Sequence, residues 1–537
     1  MTTRPRPPIP RPPRSPLPAA DRPFGVDAGA AAGIAGLLEE VRAATGIRID
    51  LFAERVLGDE FFLLDDAPVR EESYRQAGFS VSIRYRGSTG HAAVNSLSRD
   101  GFLLGLEAAA ARAGAAAEVR VPHPERLAAV LHGALAAWDP SYDDPSYGSP
   151  SYGGEGDGPA RVAVAEAAEL LRTARAAALD AARRGGGLDS LSVSYSAVAR
   201  DFVLLGPGTA HLQGDGQRHL LSCRAIADGT GAGGSGPGGP SVGYRKAGHR
   251  KAGHRKAGAP GSRESGAWEP GRDALAVGRG AALAAVAKRR AEPVAERNAT
   301  VVIAAGASGV FAHELLGHPL ERDVAAGGLA GVSWREGERV CPVALDVTDD
   351  PGIPGAWGSY AYDDEGTAAL PGHLVRDGTV AGFVEDAGRL RRQSFRHPPM
   401  CRMSNVCIGP GPDDPAALLA SVAHGYHVSR LGGGEVRADG TFSLGAVDVR
   451  RIRDGRPAEP VADAVLTGEV AAVLAGLRGI GSDFAMGSPA SCAKYGQEVP
   501  VGDGGPTLLV TGVDLGPGVD PGPGPGVDPG PGPGPSG

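Results

Sequence analysis

The chain has 537 residues, enough for two or three domains, and its residues are 42% apolar but only 5% aromatic, so the core must be mostly Ala, Val and Leu. A formal net charge of −8 argues against the broad basic surface that nucleic-acid binding needs, and no apolar run is long enough for a spanning helix. The five cysteines, Cys223, Cys341, Cys401, Cys407 and Cys492, are an odd number in a long chain, which suits free thiols in a reducing compartment.

Residues 1–26 are rich in Pro and Arg and lack the apolar stretch of a secretory signal, so an extended leader and a cytoplasmic setting are expected. Ala28 to Thr45 reads as an Ala/Leu helix with Gly46 placed to end it. IRIDLFAERV follows as a strand, and FSVSIRYRGSTGHAAV as a strand or hairpin. Helices are expected over Gly101 to Ala113 and over Pro124 to Trp138. The second carries Leu127, Val130, Leu131, Leu135 and Trp138 on one apolar face, read as core. Two low-complexity inserts, at about 139–159 and 229–269, repeat Pro-Ser-Tyr and Arg-Lys-Ala-Gly-His. Units this short cannot build a solenoid, and the basic one reads as an expanded surface loop. Between the inserts, Ala160 to Arg184 reads as a helix stopped by glycines and LDSLSVSYSAVARDFVLLG as a strand. Arg272 to Ala291 then closes a mixed α/β N-terminal domain over 27–297.

From 298 to 515 the texture becomes β-rich. TVVIAAG is a buried strand, Ser308 a candidate N-cap, and VFAHELLG a short helix. Short apolar segments then alternate with Gly, Pro and Asp. Asp-Gly pairs at Asp377, Asp439 and Asp454 signal hairpin turns, and 516–537 is expected to be a disordered Pro/Gly tail. The fold class expected is α+β: a mixed N-terminal domain, then a β-rich domain carrying a short metal-binding helix.

The chemically loaded segment is His313-Glu314-Leu315-Leu316-Gly317-His318. Zinc takes neutral imidazoles and thiolates and, when catalytic, keeps a position open for water, whose proton a neighbouring carboxylate can take. Histidines at i and i+4 share a helical face, whereas i and i+5 lie about 140° apart on a regular helix. Both reach one ion only if the helix ends or bulges. Gly317 permits distortion and Pro319 disfavours α conformation in the residue before it, so His318 is expected where the helix unwinds.

The segment VFAHELLGHPLERD resembles the TldD/PmbA family of metallopeptidases, in its TldD-like, catalytically complete branch. GSYAYDDEGT, PMCRMSNVCIGPG, RLGGGEVRADGTFSLGA and SCAKYGQEVPVGDGGPTLLV, in that order, resemble the same family. So do the N-terminal strand segments, and the likeness runs from about residue 27 to 515 apart from the inserts. It implies a third zinc ligand, Cys492, in the Ser-Cys-x-Lys block, beside His313 and His318, with Glu314 as general base. A thiolate is a good zinc ligand, in keeping with that role. Also implied are a peptide or peptide-precursor substrate and a dimer with a motif-lacking homologous subunit; no nucleic acid or membrane partner is expected. Pro319 stands where the family pattern would have glycine. Arg402 and Asn405 are weaker candidates for holding substrate backbone. Asp363, Asp364 and Glu365 form an acidic turn, read as solvated in preference to one orienting the site or a substrate amine. Two alternative functions stay open: a noncatalytic partner or scaffold subunit of a TldD/PmbA-type assembly, and a metal-dependent amidase acting on a small molecule.

Overall fold

The computed structural model describes residues 28–114, 120–135, 164–227, 241–246, 270–327, 331–384 and 388–518. The expected leader, the first insert and most of the second, the tail beyond 518, and Trp138 lie outside the described residues.

The N-terminal part contains α1 (Ala28–Thr45), β1 (Arg48–Leu64), β2 (Arg70–Tyr85), β3 (Ser88–Val94), α2 (Arg99–Ala113), α3 (Pro124–Leu135), α4 (Val164–Ala182), β4 (Ser190–Gly206), β5 (Thr209–Ile226), β6 (Ser241–Lys246) and α5 (Pro270–Lys288). The strands form one antiparallel sheet in the order β3-β2-β1-β4-β5-β6. β6 falls inside the expected second insert, so the described part of that stretch is an edge strand and not surface loop. Arg86 and Gly87 both adopt positive φ, the geometry of a tight β2–β3 hairpin turn.

Period-two alternation explains how this sheet is used. Odd-numbered residues of β1 and β4, such as Leu51, Phe61, Val193 and Leu205, pack under the helices. Leu127, Leu131 and Leu135 of α3 join that core, while Val130 is 40% exposed, because the buried stripe is completed by Ala128 instead. Even-numbered residues face the other way, and Phe52, Phe202 and Leu204 surround Phe395 from the C-terminal part.

The charges on this second face are buried and paired. Glu54 accepts from Arg200 and from the Phe395 backbone N–H at 2.7 Å. Arg200 Nη1 donates to Asp364 Oδ1 at 3.2 Å, Arg392 N donates to Asp364 Oδ2 at 2.7 Å, and Arg392 Nη1 donates to Ser80 at 3.1 Å. The acidic turn is therefore not solvated. Asp364 is 1% exposed and ties the two parts together, and Asp363 accepts from the backbone N–H groups of Glu365 and Thr367. Replacing Asp364 by Asn, which keeps the shape but removes the charge facing Arg200, is expected to cost about 1.5–3 kcal/mol in denaturant unfolding. An unchanged midpoint would contradict this interface.

The C-terminal part begins with β7 (Glu296–Ile303), α6 (Ala307–Ala312) and α7 (Arg322–Gly327). Further strands are β8 (His424–Val436), β9 (Thr441–Arg453), β10 (Arg456–Pro460), β11 (Ala464–Glu469), β12 (Ala490–Lys494), β13 (Gln497–Val501) and β14 (Leu508–Pro517). β8 pairs in parallel with β7, β7 with β14, β14 with β11, β11 with β9, and β9 with β8, so the sheet closes on itself. Closure leaves no edge within this ring of five strands, with β10 appended to β9 outside it, and encloses a core from Val301 to Leu515 that also packs Leu315 and Leu316. The three Asp-Gly pairs stand in turns between antiparallel strands, and Asp377 and Asp454 adopt positive φ. A second sheet of short strands, including 347–349, 406–408 and 504–505, lies in the same part. Together these elements make an α+β fold.

Candidate metal centre

α6 leaves the end of β7 through Gly306, whose φ is +84, and no side chain caps it. Ser308 is not the N-cap; it lies within the helix with its hydroxyl buried. At Ala312 the helix changes pitch, and His313–Gly317 form one π-helical turn closed by a bond from His318 N–H to the His313 carbonyl. A 3₁₀ turn, His318–Leu320, follows. The i→i+5 hydrogen bond resolves the spacing problem, since it brings a residue five positions on back over the first. The His313 and His318 rings meet edge to face with centroids 5.0 Å apart.

The local causes differ from those expected. Gly317 has φ −60 and ψ −62 and His318 has φ −58 and ψ −45, both ordinary right-handed values. Gly317 leaves room for a neighbour, since a Cβ there would lie 2.1 Å from Met403 Sδ and that side chain would have to move. Gly309 is needed for space. A Cβ there would lie 2.4 Å from Gly504 N, so glycine lets α6 rest on the segment that carries Asp503.

Cys492 arrives on β12, paired with β13 as a hairpin. One ligand atom each from His313, His318 and Cys492 lie within 4.8 Å of one another, the sole such His/Cys/Asp/Glu group among the described residues. His318 Nε2 is 3.4 Å from Cys492 Sγ. The other nitrogen of each ring is held by a carboxylate: His313 Nδ1 by Asp503 at 3.2 Å, His318 Nδ1 by Glu321 at 2.9 Å. That is the arrangement that orients metal-ligating histidines and leaves Nε2 for the ion. Two imidazoles and a thiol so disposed fit zinc, with a position left over for water. Glu314 is 7% exposed, and its Oε2 has no hydrogen-bond partner among the described residues.

The electrostatics follow from this crowding. Burial opposes charge on His318, yet the Cys492 thiolate and Glu321 outweigh it and lift the ring to about 10. Burial also opposes charge on His313, and Asp503 with Cys492 raises it well above the usual histidine range. Burial disfavours the Cys492 thiolate, but the two imidazoles hold the thiol well below its ordinary value. Burial raises Glu314, partly offset by the rings. Metal and protons therefore compete for the histidines. His318 keeps its proton below about 10, so zinc uptake at neutral pH must expel protons, and apparent affinity should rise with pH towards that value. Titration calorimetry in buffers of different ionisation heat checks this, and heats independent of buffer would contradict it.

Arg402 and Asn405 stand apart from the substrate role expected of them. Both are fully buried. Arg402 donates to the carbonyls of Cys492 and, at 3.1 Å, Gln497, bracing the β12–β13 hairpin. Asn405 donates to the Asp350 carbonyl at 2.6 Å and Ser359 Oγ at 2.9 Å and accepts from Gly358 N. Side chains whose hydrogen bonds go to the protein are supports. Cys401 and Cys407 are likewise remote from metal chemistry, with thiols pushed up by burial.

Sequence reasoning missed Asp503, Glu321 and Lys494. Glu321 left a signal, three residues after His318 where a 3₁₀ turn brings i and i+3 together. Asp503 left none beyond its place in a Gly-rich stretch 190 residues from His313.

Residues 296–517 match the family model described as the PmbA/TldA metallopeptidase C-terminal domain. A metalloprotease from Methanothermobacter thermautotrophicus is 35% identical over 251 residues, 45% of this chain and 55% of that protein. The zinc metalloprotease TldD homolog of Saccharolobus solfataricus is 28% identical over 228 residues, 40% of this chain and 51% of that protein. The chain thus spans about half the length of the curated relatives it matches. Two solved structures share the fold. A candidate modulator of a DNA gyrase from Thermotoga maritima has a TM-score of 0.59 and 14% identity, covering 90% of this chain and 99% of that one. TldE from Thermococcus kodakarensis has a TM-score of 0.55 and 15% identity, covering 89% and 99%. Residues 296–517, the part that holds the centre, thus carry a domain of the PmbA/TldA metallopeptidase family.

Proposed function

We propose that this protein is a zinc-dependent peptidase acting on unfolded peptides or peptide precursors. The observation that carries the reading is the convergence of His313, His318 and Cys492 beside a buried carboxylate oxygen, Glu314 Oε2, left without a partner. His313, His318 and Cys492 would hold the ion, and Asp503 and Glu321 would keep the two rings turned towards it. Zinc bound there supplies Lewis acidity, to water and to the carbonyl under attack. Glu314 follows His313 in the π turn, so its carboxylate is fixed at the same place. It takes the proton of the attacking water and returns it to the departing amine, the work of a general base that becomes a general acid. Burial helps, since it raises the basicity of the carboxylate towards the working range.

The reading extends to a cytoplasmic setting and to a dimer with a motif-lacking homologous subunit. The described cysteines are all free thiols, and no helix among the described residues is long and apolar enough to cross a membrane. The test is to incubate the zinc-reconstituted chain with an unstructured polypeptide, with and without such a subunit, and follow cleavage by mass spectrometry. Cleavage should be lost to a zinc chelator and return with zinc. A protein that holds zinc but cuts only small amides, or nothing even with the subunit, would contradict the assignment.

A further inference from the structure

Cys492 and Lys494 are alternate residues of β12 and so project to the same side of the strand. Both are buried, at 3% and 7% exposure. Lys494 Nζ lies 3.1 Å from Glu321 Oε2 and donates at 2.8 Å both to Asp323 Oδ1 and to the Cys401 carbonyl. The same Glu321 oxygen contacts His318 Nδ1 at 2.9 Å, and His318 Nε2 lies 3.4 Å from Cys492 Sγ. A chain of contacts thus leaves β12 at Lys494, passes through Glu321 and His318, and returns to the same strand at Cys492.

We propose that Lys494 and Glu321 are positioning residues of the metal centre, with Lys494 fixing the Glu321 carboxylate and Glu321 fixing the His318 ring so that Nε2 faces Cys492. One strand then delivers a ligand together with the cation that orients a second ligand. This rests on reading the site as a metal centre. Glu321 is 0% exposed and its Oε1 has no hydrogen-bond partner among the described residues, so the carboxylate is held by Lys494 and the ring, with the Arg402 guanidinium a further cation acting on it.

Cobalt(II) is the probe, because its visible absorption reports both thiolate ligation and the symmetry of the ligand set. The full chain should bind one cobalt with a thiolate charge-transfer band. Lys494→Met should weaken cobalt binding by about 10- to 100-fold and alter the d–d bands, as loss of an outer partner does. Glu321→Gln keeps an acceptor for Nδ1–H but has no charge for Lys494 to hold. Adding Lys494→Met to it should therefore weaken binding by no more than about threefold further. An unchanged affinity and spectrum in Lys494→Met, or an equal loss in both backgrounds, would overturn the proposal. A parent chain that binds no cobalt would overturn the metal reading and the proposal with it, which separates the two failures. Should Lys494→Met not fold by circular dichroism, Glu321→Gln alone decides: about a tenfold loss supports the relay and parental affinity overturns it.

Discussion

Cys492→Ala is expected to lower zinc affinity by roughly two to three orders of magnitude while the chain stays folded. A zinc site in a small protein is worth on the order of 10–16 kcal/mol over four ligands, so one ligand's share is roughly 2.5–4 kcal/mol. The thiolate is the softest of the donors here and the sole anionic one among the three, and its removal leaves two imidazoles. The fold should tolerate the change. Cys492 is one buried member of a large core extending from Val294 to Leu515, and losing one sulfur atom costs about 1 kcal/mol. The hairpin keeps its place because Arg402 grips the backbone carbonyls of Cys492 and Gln497, contacts that do not involve the sulfur. Competition with a chromophoric chelator measures the affinity, and thermal unfolding monitors the fold. Parental affinity in the variant would remove Cys492 from the ligand set.

Glu314→Gln should do the opposite, holding zinc as the parent does while hydrolysis falls by about 10²- to 10⁴-fold, the usual worth of a positioned general base. The amide has the same shape and cannot take a proton. Gly434 of β8 packs against this side chain, where a Cβ would come within 3.0 Å of Glu314 Cγ, so the substituted group should occupy the same place. Metal content and turnover measured on one preparation separate the two effects. Loss of zinc along with activity would recast Glu314 as a ligand, and retained activity would move the base elsewhere.

Much of the fold was legible because its signals are local. α1 ends at Thr45 with Gly46 at φ +73, as its glycine indicates, and the alternating residues of β1 and β4 sort cleanly onto two faces. What alternation could not say is that the second face carries Glu54 and Arg200 against another part of the chain, since a buried ion pair and a solvated charge look alike in sequence. The same ambiguity placed Asp364 in solvent. At the centre, the two histidines and Glu314 were legible because they lie within six residues. Cys492 came from family resemblance, its 174-residue separation from His318 leaving no spacing to read. The π turn was anticipated only as some break in the helix. Gly317 was read as a source of flexibility, whereas it makes room for Met403, a contact between segments distant in the chain that no local pattern reveals. Arg402 and Asn405 show the converse error: polar side chains in a family motif can be framework, and only burial tells the two apart.

X-ray absorption at the zinc edge, on the full chain loaded with one equivalent of zinc, tests the shared centre most directly. The expected spectrum contains one sulfur at about 2.3 Å and two imidazole nitrogens at about 2.0–2.1 Å, with the sulfur shell absent from Cys492→Ala. A coordination shell without sulfur in the parent chain, or no stoichiometric zinc to examine, would contradict the convergence of His313, His318 and Cys492 on one ion.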